Sequence, residues 1–209
     1  MYLERPLKDF IEDTASRTPT PGGGSVAALV GALGSCLLRM VGNFTIGKEK
    51  FKSVEKDMEL ILSELNLFTL RFCRLMQDDI SAYQNFSRVS SLPKDTPEEK
   101  KIRKEALQDA LKKAAEVPFK MCEDSFELLK VASRILDIGN PRLISDVGVG
   151  AILAQACLES AALNVEINLS SIRDKNFVKQ KRESLAKFLK EGEELAIKII
   201  EKVRNKITG

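Results

Sequence analysis

Histidine is absent from all 209 residues of this chain. A Ser-His-Asp or Cys-His catalytic device is therefore excluded within it, and so is a His-ligated metal. Proton transfer falls to carboxylates, lysine, cysteine or tyrosine. Cysteine is scarce: Cys36, Cys73, Cys122 and Cys157 are widely separated, each in an apolar stretch, and form no CxxC pair. Without histidine they offer no zinc set, and reduced, buried thiols in a cytoplasmic protein are expected. An excess of one charge is also missing, since 33 basic and 30 acidic residues leave a formal +3. No basic block with interleaved aromatics stands out, so no nucleic-acid partner is expected. Lys100-Lys101-Ile102-Arg103-Lys104 is locally basic, but Glu98, Glu99 and Glu105 flank it at helical spacing, and it reads as a solvated helix face. No segment alternates as a strand, and no basic-then-apolar leader opens the chain. Gly22-Gly23-Gly24-Ser25 lacks the lysine of a nucleotide-binding P-loop.

What is present is helical periodicity in almost every segment between breakers. The spacing predicts helices over residues 3–16, 25–44, 49–90, 96–136, 145–168 and 174–207. Thr96-Pro97-Glu98-Glu99 is a strong start signal, with Thr as N-cap, Pro at the first helical position and Glu three residues after the cap. Ser25 and Ser145 are expected to cap the second and fifth helices. Residues 25–44 and 145–168 are poor in charge and rich in Gly, Ala and Ser, as close-packed central helices would be. They approach membrane-spanning length, but Arg39, Glu159 and Glu166 interrupt them, so a bilayer is not expected. The expected fold is an all-α helical bundle with two apolar central helices, with residues 1–209 as one domain.

Three constellations invite chemistry. The run Thr18-Pro19-Thr20-Pro21-Gly22-Gly23-Gly24-Ser25 needs a backbone reason for its glycines, either positive φ or the close approach of another group. Read as a loop at a helix mouth, it presents the amides of Gly23, Gly24 and Ser25 to an anion; an ordinary loop-to-helix joint is the plainer alternative. Asp79 lies on the stripe of Phe68, Phe72, Met76, Tyr83 and Phe86, a carboxylate where the core should be. Burial would raise its pKa and suit it to acid–base work, or it is a buried Asp bonded to a helix end. Its neighbour Asp78 falls on the polar face, four residues after Arg74. Asp146, Gly150, Leu153, Cys157, Ser160, Asn164 and Asn168 share one helix face, which could bind a polar heterocycle. Alternatively, Asp146 serves the helix dipole while the asparagines tie down a neighbour. Lys48 follows a helix end and could complement its dipole or meet an anionic tail; spacing does not choose between them.

Together these residues resemble the cyclodeaminase/cyclohydrolase family of folate enzymes over nearly the whole chain. The marks are Thr18 to Ala28, Gly47-Lys48, Asp79 with Ala82 and Tyr83, Leu92-Pro93-Lys94, and Thr96-Pro97-Glu98-Glu99-Lys100. Later marks are Asn140-Pro141, Ser145-Asp146-Val147, Ala162-Leu163-Asn164-Val165 and Ile167-Asn168-Leu169. The resemblance implies a cytoplasmic all-helical homodimer of one-carbon metabolism and histidine degradation, with a tetrahydrofolate derivative as substrate and no metal or redox cofactor. It places the catalytic aspartate at Asp79. It implies a cyclodeaminase that converts 5-formiminotetrahydrofolate to 5,10-methenyltetrahydrofolate and ammonia, served by a separate formiminotransferase. The alternatives are a methenyltetrahydrofolate cyclohydrolase, or a non-catalytic helical interaction protein. Asp146, Asn164 and Asn168 are expected on the pterin or its developing charge. Gly23, Gly24, Ser25 and Lys48 are expected on the glutamate end or the pocket wall. The family often carries an acid at the position of Ser81, so a second carboxylate is in doubt.

Overall fold

The computed structural model describes residues 2–208. Six α-helices follow a short 3-10 turn: α1 (Leu7–Ala15), α2 (Gly23–Asn43), α3 (Glu55–Ser90), α4 (Pro97–Ile138), α5 (Ile144–Ser170) and α6 (Lys175–Thr208). No strand occurs among the described residues. The expected all-α bundle is what forms, with α2 and α5 at its centre. α2 packs on α3 and α5, α4 closes against both α3 and α5, and α6 covers α4 and α5.

Local chemistry sets the boundaries. Thr96 and Glu99 form a reciprocal capping box: the Glu99 N–H donates to Thr96 Oγ1 at 3.2 Å, and Glu99 Oε2 accepts the Thr96 N–H at 2.9 Å. Pro97 fills the first helical position, as its missing N–H permits. Gly47 turns the chain at φ 71°, a left-handed conformation that side chains rarely adopt, and a 3-10 segment (Glu49–Val54) then leads into α3.

Two expected caps are corrected. Ser25 does not cap α2, because its hydroxyl is committed to Asp79; Gly22 is the N-cap, and its carbonyl accepts the Val26 N–H at 3.0 Å. Ser145 does not cap α5. A 3-10 turn (Pro141–Leu143) capped by Asn140 runs straight into that helix. Asn140 also latches the turn to the end of α2, donating its N–H to Thr45 Oγ1 at 2.9 Å and its amide to the Phe44 carbonyl at 3.0 Å.

The small residues of the central helices allow close contact. A Cβ on Gly34 would stand 3.1 Å from the Gly150 carbonyl of α5, and one on Gly150 would stand 2.9 Å from Leu38. Around that crossing Leu38, Phe72, Ala151, Ala154 and Leu158 are buried. Cys122 and Cys157 are also buried, and Cys73 is half-buried. The expectation of a buried thiol fails at Cys36, which is exposed. α2 buries only one side in the bundle and turns Leu33 and Cys36 outward on the other.

Candidate active site

The N-terminus of α2 points at the middle of α3, and the two helices meet at Asp79. There a cavity of about 310 Å³ opens between the segment from Pro19 to Gly24, α3, α4 and α5. Among the described residues Asp79 is its one lining carboxylate, and no lysine or arginine lines it. The stripe read from the sequence divides at this point. Phe68, Phe72 and Met76 are core, whereas Tyr83 is exposed and Phe86 half-buried, and these two line the cavity. Past Asp79 the apolar stripe becomes a wall for a ligand.

Ser25, buried in the first turn of α2, donates its hydroxyl to Asp79 Oδ2 at 2.7 Å, and its N–H faces the same carboxylate. Burial raises the Asp79 pKa above the usual carboxylate range. The two Ser25 donors stabilise the charged form and oppose that rise without cancelling it. Gly24 makes the approach possible, since a Cβ there would occupy the space of Asp79 Oδ1. The glycine run thus has its backbone reason in close approach, not in φ, because Gly47 is the positive-φ glycine among the described residues. The first-turn amides of Gly23 and Gly24 have no intrahelical acceptor, and both residues line the cavity, a setting suited to a carbonyl or anionic oxygen.

Asn164 and Asn168 lie across from α2. The Asn164 amide donates to the Ser160 carbonyl at 2.8 Å, and its side chain faces Gly23. Asn168 donates to the carbonyls of Asn164 at 2.8 Å and Ala114 at 3.2 Å, leaving its side-chain oxygen as the remaining acceptor. The Ala114 carbonyl is free because Pro118, four residues on inside α4, has no N–H to offer it. Asn168 therefore has a structural duty as well as a place in the cavity. Asn168→Ala is expected to cost roughly 1 kcal/mol of stability. In a Pro118→Ala background, where the helical N–H at that position is restored, the same change should cost less, as a urea-denaturation double-mutant cycle would read.

The structure does not bring Asp146 or Lys48 to this cavity. Asp146 shares a face with Asn164, but eighteen residues separate them, or about 27 Å along the helix. It sits in the first turn of α5, where a carboxylate complements the helix dipole. Lys48 lies beyond the opposite end of α2, roughly 30 Å from Gly23, with its ammonium 5.5 Å from the Phe44 ring centroid. A shared helix face does not put residues at the same level. Ser81 bonds the Gln77 carbonyl at 3.0 Å and lies outside the cavity lining, so the missing acid there takes nothing from this wall. Asp78 pairs with Arg74 at 3.6 Å, as its polar face required.

Sequence reasoning missed Ala114 and Pro118, although a proline inside a helical pattern is a signal for a freed carbonyl four residues earlier. Cysteine chemistry is disfavoured by position: Cys122 and Cys157 are core, and burial pushes the Cys157 thiol up to about 11. Among the described residues, no group of three His, Cys, Asp or Glu side chains is placed to hold a metal.

Residues 6–187 match the family model described as formiminotransferase-cyclodeaminase. The chain is 37% identical over 201 residues to a methenyltetrahydrofolate cyclohydrolase of Methylorubrum extorquens, covering 96% of this chain and 97% of that protein. It is 31% identical to the formimidoyltransferase-cyclodeaminase of Sus scrofa, where 96% of this chain spans 37% of the longer protein. The crystal structure of a formiminotetrahydrofolate cyclodeaminase from Thermotoga maritima superposes with a TM-score of 0.80 at 32% identity, covering 98% of this chain and 96% of that one. On residues, fold and these matches together, the chain belongs to the formiminotransferase-cyclodeaminase family.

Proposed function

We propose that the protein is a cytoplasmic folate one-carbon enzyme that opens 5,10-methenyltetrahydrofolate with water to give the 10-formyl form. The observation that carries the reading is Asp79, a lone carboxylate with a raised pKa in a groove otherwise lined by apolar groups, amides and hydroxyls. The end-to-end likeness to the Methylorubrum cyclohydrolase supports the choice of reaction.

Water attacks the methenyl carbon held between N5 and N10 while Asp79 takes a proton from it, giving a neutral hydroxymethylene adduct. Asp79 then returns that proton to N5 as the bond from carbon to N5 breaks. The adduct hydroxyl loses its proton and becomes the formyl carbonyl on N10, so one proton leaves for each water consumed. A carboxyl with a raised pKa suits both halves of this cycle. In this reading the amides of Gly23 and Gly24 receive developing negative charge on oxygen, and Asn164 and Asn168 bind from the facing wall; that all four residues line the one cavity supports it.

The second reading, cyclodeaminase, is favoured by the full-length match to the Thermotoga structure. In it N10 attacks the formimino carbon on N5, and Asp79 protonates the departing nitrogen. Purified protein offered each substrate separates the two. Loss of methenyl absorbance without ammonia supports the cyclohydrolase, and appearance of that absorbance with ammonia supports the cyclodeaminase. Neither change, with no thermal shift by 5-formyltetrahydrofolate, would leave a helical interaction protein.

Two copies are proposed to pair through the outward side of α2 and α5. Leu33 flanks Gly34 at the helix crossing, Val149 and Ile152 flank Gly150, and all three are exposed at 44–51% of their surface. Light scattering is expected to give twice the chain mass, and a monomer for Leu33→Glu/Ile152→Glu. A monomeric parent protein would contradict the pairing.

A further inference from the structure

One neutral side chain in the cavity lining has its hydrogen-bonding sign fixed by its surroundings. Asn168 makes contacts of 2.8 and 3.2 Å through its side-chain amide, and both neighbours, Asn164 and Ala114, present backbone carbonyl oxygens. A carbonyl oxygen only accepts, so the NH2 end of Asn168 must face this pair and its oxygen must lie on the other side. The flipped amide would set three oxygens against one another. Both donor hydrogens are used in this way, and no donor reaches the oxygen among the described residues. Asn168 is half-buried and lines the cavity, so its side chain offers a ligand an acceptor and no donor.

The second tether exists because of Pro118. A proline in a helix interior is costly, and this one, buried in α4, leaves the Ala114 carbonyl without its helical N–H and open to Asn168 on α5. The other polar side chains facing the groove are less constrained. Asn164 spends one N–H on the Ser160 carbonyl at 2.8 Å and keeps both a donor and an acceptor. The hydroxyls of Thr20 and Tyr83 can serve either way. Across the groove, the first-turn amides of Gly23 and Gly24 are donors. Asn164 stands against Gly23, and Asn168 lies one turn of α5, about 6 Å, further along the groove.

Resting on the folate reading, we infer that Asn168 is a specificity-determining residue: its oxygen accepts from the 2-amino group of the pterin, and Pro118 holds it in that role. The pterin edge carries an oxo group at position 4, which accepts, and an amino group at position 2, which donates. An oxygen fixed as acceptor meets only the second. With the reacting carbon at Asp79, the 2-amino group is at the far end of the fused rings, and Asn168 is one turn beyond the level of Gly23. A ring without that amino group leaves the oxygen unpaired, and a site built to hydrogen-bond a group rejects the analogue lacking it.

The test measures dissociation constants by calorimetry for 5-formyltetrahydrofolate and for its analogue with methyl in place of the 2-amino group, which keeps the shape and removes the donor. The parent protein is expected to bind the analogue about ten- to a hundredfold more weakly, the cost of an acceptor left unpaired in a partly open groove. Asn168→Leu should bring the ratio of the two constants to within about twofold of one, since methyl then meets an apolar side chain. A purely structural role for Asn168 would weaken both ligands by the same factor and keep the ratio. Pro118→Ala leaves Asn168 in place and favours the helix, but returns an N–H to the Ala114 carbonyl; it should lower the ratio about threefold or more as the amide loosens. It also serves as the test should Asn168→Leu fail to fold. Equal affinities in the parent protein, or a ratio unchanged in the variants, would overturn the role of Asn168 while binding of both ligands upheld the folate reading. Binding of neither ligand to the parent protein would overturn both.

Discussion

Replacing Asp79 with asparagine is expected to lower kcat/KM by about 10²- to 10⁴-fold, the range of a lost general acid–base, while leaving the melting temperature unchanged or higher. Asparagine fits the site: its oxygen accepts the Ser25 N–H, and its amide donates to the Ser25 hydroxyl, which accepts as readily as it donates. What it cannot do is carry a proton to and from the folate. The stability side follows from linkage. Burial raises the folded pKa of Asp79 above its unfolded value, so the native state keeps its proton to higher pH than the unfolded chain does. The native state is therefore favoured at low pH, and that advantage is lost as pH rises from the unfolded pKa through the folded one. At neutral pH the charge in the groove is a net cost, which asparagine removes. The gap in melting temperature between the two proteins should widen across that window and stay constant above it. Asp124, also raised by burial against the pull of Arg71 and Lys120, slopes the same way in both proteins and cancels in the difference. Asp78→Asn, one residue away on the polar face, should change kcat/KM by less than about twofold, as surface substitutions generally do.

Gly24→Ala is the second large effect, with an expected loss of about 10²-fold or more in kcat, because displacing a proton-transfer group by an ångström is costly. The added Cβ would overlap Asp79 Oδ1 and lie 2.6 Å from its Cγ, so the carboxyl must swing away from Ser25. The chain need not unfold, since the carboxyl can move into the cavity. Alanine also has a helix propensity about 1 kcal/mol better than glycine in a helix interior, which favours the fold. Gly23→Ala is the matched comparison. Its Cβ would meet only the Asn164 amide, at 3.6 and 3.7 Å, an ordinary contact. It should lose at most about tenfold, chiefly in KM, as a change confined to ligand contact does. Similar losses in kcat for the two variants would mean that the glycine run serves the loop and not the carboxylate.

The fold was largely legible because its signals are local. The Thr96 capping box, the apolar periodicity and the small residues at Gly34 and Gly150 each specify an outcome through neighbours in sequence. The candidate site was legible at Asp79 because a carboxylate on an apolar stripe contradicts its surroundings. It was not legible at Lys48 and Asp146, since helical periodicity reports a face and not a height, and those residues lie at the far ends of α2 and α5. Ser25 had the right chemistry for a cap, but a carboxylate fifty-four positions away claimed its hydroxyl, and no local pattern encodes that pairing. Lys100 to Lys104 read as a solvated helix face from their spacing, and Lys100, Lys101, Ile102 and Lys104 are exposed there, while Arg103 is half-buried because its guanidinium bonds the Ser90 carbonyl.

The central claim is that the half-buried carboxyl at position 79 moves the proton, and the pH dependence of kcat/KM for methenyltetrahydrofolate opening tests it most directly. The parent protein should show an acidic limb with an apparent pKa above the ordinary carboxylate range, as burial of Asp79 demands, and the residual rate of Asp79→Asn should lack that limb. The same limb in both proteins, or full activity in Asp79→Asn, would contradict the account.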